Sequence, residues 1–86
     1  MSQKISSSRS KNPQEIEALT KQAISAAACF DWEVAAKINQ KILKISENSV
    51  ETLNRLARAY ISLGETQKAQ KNYKKALGLD PYNMIA

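Results

Sequence analysis

Glu51, Asn54, Arg55, Arg58, Ile61 and Ser62 recur at i, i+3, i+4, i+7, i+10 and i+11, the spacing that places side chains along one stripe of a helix. The stripe carries two guanidinium groups and an amide donor. A guanidinium is a planar, permanently charged fork that matches a carboxylate in two hydrogen bonds at once. This pattern suits an acidic peptide or a C-terminal carboxylate, and it serves equally well as a solvated polar face. A second cationic set, Lys68, Lys71 and Lys75 with Lys74 beside them, lines one side of the next helical segment. Together with a basic N-terminus it could neutralise phosphates of nucleic acid or another anionic surface. Lysines simply solvated on a helix are the commoner arrangement.

The inventory for catalysis is poor. The chain has no histidine and one cysteine, Cys29, so a Cys–His nucleophile cannot form. A single soft ligand makes no metal site, and there is no glycine-rich loop to cradle a phosphate. The acid pairs Glu15/Glu17 and Asp31/Glu33 stand at i, i+2 and do not share a helix face. No enzyme, cofactor or metal is expected, and Cys29 reads as a packed small residue. Trp32 reads as a packing residue at the start of a helix, the alternative being an interface anchor.

At 86 residues the chain holds at most one domain, and a small one. Its 43% hydrophobic and 24% charged content fits a soluble globular protein. Two glycines and two prolines argue for uninterrupted helices over strands. No apolar run approaches the roughly 20 residues that span a bilayer, and no apolar segment follows Lys4 to make a secretory signal. A lone cysteine fits a reducing compartment, so the expected location is cytoplasmic. The net charge of +5 is concentrated in residues 1–12 and in the second half of the chain.

Residues 1–12 are polar, basic and serine-rich, with nothing to bury, and are expected to form a disordered tail. Order begins at Asn12-Pro13-Gln14-Glu15, which combines a capping residue, a proline suited to the first helical position and an acid in the first turn. The pattern predicts an all-α fold over 13–86, with four helices at about 13–28, 31–45, 49–63 and 66–79. Asn48 or Ser49 opens the third, Gly64 stops it, and Pro81 ends the fourth. Leu53, Leu56, Ala57, Tyr60 and Leu63 make one apolar stripe, and Ala69, Tyr73, Ala76 and Leu77 make its counterpart. Alanines at the crossing let two helices approach, and the tyrosines fill the space beside them. The result is an antiparallel helix hairpin.

The run Leu53-x2-Leu56-Ala57-x2-Tyr60, then Ala69-x3-Tyr73, Ala76 and Pro81, resembles the tetratricopeptide repeat, whose pattern has a period of 34 residues. Moved back by one period, Leu53 falls on Leu19, Ala57 on Ala23 and Ala69 on Ala35. Tyr60 falls on Ala26, Leu56 on Gln22, Tyr73 on Asn39 and Pro81 on Glu47, so the first copy departs from the pattern. The resemblance covers two repeats, about 16–49 and 50–83, and implies tandem antiparallel helix hairpins stacked as a short α-solenoid, with the start of a fifth helix at 82–86.

In that family the first helix of each pair lines a concave groove for peptides. The resemblance therefore implies a protein-interaction scaffold whose groove holds Lys21, Asn54, Arg55, Arg58, Ile61 and Ser62 and takes a protein or peptide, suited to an acidic one. The carboxylate clamp of chaperone-binding members needs Lys and Asn on the first helix and Asn on the third. Thr20, Ile24 and Arg55 stand at those positions, so chaperone tails are not expected. Tyr82, Met84 and Ile85 would offer apolar contacts for self-association or for a longer array. The alternative is a basic helical accessory domain that docks on nucleic acid or a ribonucleoprotein.

Overall fold

The computed structural model describes residues 13–80. Both the expected tail at 1–12 and the expected fifth helix, with Tyr82, Met84 and Ile85, lie outside these residues. Four helices form: α1 (Pro13–Ala28), α2 (Trp32–Ile45), α3 (Val50–Ser62) and α4 (Thr66–Leu79), with no strand among the described residues. Each packs against the next in sequence, α1 on α2, α2 on α3 and α3 on α4. The architecture is the expected one, two helix hairpins in tandem.

Local chemistry explains the boundaries. Pro13 opens α1 with Glu15 in its first turn, where a carboxylate complements the helix dipole. Ser49 caps α3: its Oγ accepts from the backbone N–H of Thr52 at 3.3 Å and lies 2.8 Å from Thr52 Oγ1. The two hairpin turns share one geometry. At the end of α3, Glu65 N–H donates to Tyr60 O at 2.8 Å and Gly64 N–H to Ile61 O at 3.0 Å. At the end of α1, Asp31 N–H donates to Ala26 O at 2.8 Å and Phe30 N–H to Ala27 O at 2.9 Å. These are the paired bonds of a Schellman helix stop, which needs a left-handed residue just past the helix. Gly64 supplies it in the second hairpin with φ 82°, and Phe30 supplies it in the first with φ 61°. A non-glycine residue there costs about 1–2 kcal/mol.

The core is centred on α3, which touches both α2 and α4. Leu56, Ala57, Ala59 and Tyr60 pack with Ala35, Ala36 and Ala69, and Trp32, Leu43 and Tyr73 close the cluster from the side. Because α3 is flanked on two sides, its buried surface is wider than a single stripe and includes Thr52 and Ala59. Three expectations about packing need correction. Leu63 caps α3 at its exposed end, and Leu77 lies on the flank of α4 beyond Tyr73, so both are exposed. Cys29 is also exposed, not packed, because it sits at the stop of α1 where the chain turns outward. Trp32 is half-buried as the first residue of α2, packed against the core as expected.

Candidate functional site

A hollow of about 480 Å³ opens where α1, α2 and α3 meet. Small side chains, Ala23, Ala27, Ala28 and Ala35, make up much of its lining, together with Ile24. Phe30 and Trp32 form one wall, their ring centroids 6.4 Å apart and tilted by 60°. Arg55, Arg58 and Asn39 complete the lining. The lining is largely apolar, carries two cations and contains no acidic residue.

Arg55 is held in place from beneath. Its Nε donates to Asn39 Oδ1 at 3.3 Å and its Nη2 to Thr52 Oγ1 at 3.1 Å. Asn39 is almost fully buried and donates in turn through Nδ2 to Ala35 O at 2.9 Å. A buried amide costs stability unless its hydrogen bonds are made, and this one makes both. Partial burial lowers the Arg55 pKa and Glu51 opposes the shift. An arginine titrates so far above neutrality that the guanidinium stays charged. Arg58 is exposed, and no carboxylate among the described residues pairs with it.

Asn54, Arg55, Arg58 and Tyr73 line a second depression of about 340 Å³ where α3 meets α4. Asn54 Oδ1 is buried there with no hydrogen-bond donor among the described residues. The expected stripe is thus split: Asn54, Arg55 and Arg58 come together, with both arginines reaching both depressions. Lys21 does not join them. It is exposed on α1 and lies 3.9 Å from Glu17. Ile61 and Ser62 are exposed at the end of α3 and line neither depression. Phe30, Trp32 and Asn39 line the hollow without having been expected there. Two of them belong to the turn, and the third falls at a position that holds an aromatic in the second hairpin.

On α4, Lys68 lies 3.1 Å from Glu65 and 5.5 Å from the centre of the Tyr60 ring. The hydrogen bond from Lys68 to Glu65, then the charge of that carboxylate, raise the Lys68 pKa. Lys71, Lys74 and Lys75 are exposed, while Tyr73, the aromatic among them, is half-buried against the core. Among the described residues there is no cluster of three metal-ligating side chains, and no helix is long and apolar enough to cross a membrane.

Helices of this spacing, stopped by the same turn one period apart, define a helical repeat protein. Residues 50–83, the segment that holds α3 and α4, match the tetratricopeptide repeat family model. The chain is also similar to Photosystem I assembly protein Ycf3 from Prochlorococcus marinus strains NATL1A and NATL2A. Each is 39% identical over 54 residues, an overlap covering 59% of this chain and 31% of the relative. The chain thus spans about a third of the length of these relatives.

Proposed function

We propose that the chain is a protein-interaction module that binds an acidic peptide segment of a partner protein along the face formed by α1 and α3. The observation that carries this reading is the pair Arg55 and Arg58 beside a largely apolar hollow whose lining has no acid. A bound carboxylate would meet two guanidiniums, one of them already oriented by Asn39 and Thr52. Asn54 Oδ1, buried without a donor, would accept a peptide N–H. The family match supports an interaction role, and the similarity to a protein named as an assembly factor points the same way.

The test compares partner capture by the wild-type chain and by Arg58→Glu and Arg55→Glu/Arg58→Glu variants. Affinity for the captured partner is expected to fall about tenfold or more, because each lost charged hydrogen bond is worth about 1.5–3 kcal/mol. Capture of the same partners with equal affinity by all three chains would remove the groove reading. Docking on nucleic acid would instead depend on Lys71, Lys74 and Lys75 and weaken steeply with salt. Their reversal to Glu is expected to leave peptide capture unchanged.

A further inference from the structure

The hollow between α1, α2 and α3 is lined by four alanines and by Asn39, a short amide where the second hairpin carries an aromatic side chain. One repeat apart, Tyr60 corresponds to Ala26 and Tyr73 to Asn39. In the second hairpin Tyr60 is buried in the core cluster and Tyr73 packs against that cluster. In the first, alanines and a short amide leave about 480 Å³ open, within the size range of sites that hold small ligands.

The same hairpin departs from the second at its turn. Phe30 occupies the left-handed position that Gly64 holds one repeat later, and its side chain remains 77% exposed. Neither choice favours stability. Strained backbone with an exposed aromatic is the kind of feature that gathers at binding sites. The exposed ring lines the hollow beside Trp32, and the two arginines belong to the same lining.

We infer that the hollow is a pocket for one bulky apolar side chain of the partner peptide, with Phe30 and Trp32 as its wall and Arg55 and Arg58 engaging a carboxylate within a few residues of that anchor. This rests on the groove reading and adds the anchor. The partner is then an internal segment that combines an aromatic or large aliphatic residue with Asp or Glu, and no terminal carboxylate is required. Charge excludes residues 1–12 of the same chain as the occupant, since Lys4, Arg9 and Lys11 would face the arginines.

The probe is a display library of random 12-residue peptides, panned on the full chain and on Phe30→Gly, Ala28→Phe and Arg58→Glu variants. Ala28 is exposed at the rim, so a phenylalanine there would occupy the hollow without entering the core. Peptides enriched on the wild type are expected to place Phe, Trp, Tyr, Leu, Ile or Met within three residues of Asp or Glu. Replacing that apolar residue by Ala in a selected peptide is expected to weaken binding about tenfold. On Ala28→Phe the preference for acids is expected to persist while the apolar preference disappears. Arg58→Glu is expected to do the reverse. Phe30→Gly is expected to melt at a higher temperature than wild type and yet bind the selected peptides more weakly.

Enrichment of acidic peptides with no apolar residue would overturn the anchor and leave the groove reading standing. Identical peptide sets from wild type, Ala28→Phe and Arg58→Glu would overturn both, as would no enrichment on the wild type. If the wild type instead enriches nothing and sediments as a dimer that Ala28→Phe dissociates, the hollow belongs to a second copy and the peptide inference fails.

Discussion

The two hairpins have one backbone plan and two different interiors. In the α3–α4 hairpin the inner face is closed: Leu53, Leu56, Ala57 and Tyr60 are buried on α3, Ala69 and Ala76 are buried on α4, and glycine makes the turn. In the α1–α2 hairpin α1 buries Ala23 alone, Ile24 is half in solvent, and an exposed phenylalanine makes the turn. The second hairpin is built for packing and matches the family model. The first reads as a lining, with its apolar surface left facing a hollow. Departures from a repeat pattern are therefore most informative where they remove volume on a shared backbone plan, as Asn39 does in place of Tyr73.

This contrast can be broken most directly by truncation. Leu53→Ala in the closed hairpin removes a side chain that is 1% exposed and is expected to cost about 2–5 kcal/mol. Ile24→Ala in the open hairpin removes one that is 52% exposed, with a loss within about 0.5 kcal/mol. Thermal melts followed by circular dichroism would show the difference, and equal losses would mean that the two interiors are packed alike.

An exchange at the turns is the next largest effect. Gly64→Ala puts a side chain at φ 82°, where nothing crowds it, so the loss of about 1 kcal/mol comes from the backbone alone. Phe30→Gly relieves the matching position and is expected to gain a similar amount, raising the melting midpoint by several degrees. A Phe30→Gly chain that melts earlier would show that the aromatic contributes packing that outweighs its strain.

Smallest is the ion pair at the start of α4. The folded-state pKa of Lys68 lies above the ordinary value of 10.5, so the contribution is complete below pH 10.5 and is lost as pH rises through the raised value. The pair is exposed and screened by salt, so Lys68→Gln is expected to shift the melt only slightly at neutral pH. The two curves should converge above the lysine range, and a gap that persists there would show that the aliphatic stem on Tyr60 is what matters.

Much of this fold was legible in the residues themselves. Helix boundaries followed from Pro13, Ser49 and Gly64, whose effects act over a single turn of chain. The stripe Leu53, Leu56, Ala57 and Tyr60 showed the face that α3 buries. What the sequence concealed depends on distant partners. Asn39 is polar in a helix interior and reads as surface until Arg55, from another helix, is seen to donate to it. Phe30 carries no signal for a left-handed turn, because its conformation is imposed by the helix stop and not by its own preference. Lys21 fits the same helical spacing but lies exposed beside Glu17 and lines neither depression. Arg55 and Arg58 could be proposed from the sequence because charge of one sign at helical spacing is visible without any tertiary contact.

The stop of α1 has one more consequence. It leaves the chain's single thiol, Cys29, in solvent beside Phe30 and close in sequence to the chain's single tryptophan, Trp32, in the wall of the hollow. A dye coupled to that thiol and the emission of that indole would form an optical pair already installed at the groove. Occupancy could then be followed in real time on the unmutated chain, with each signal coming from one known position.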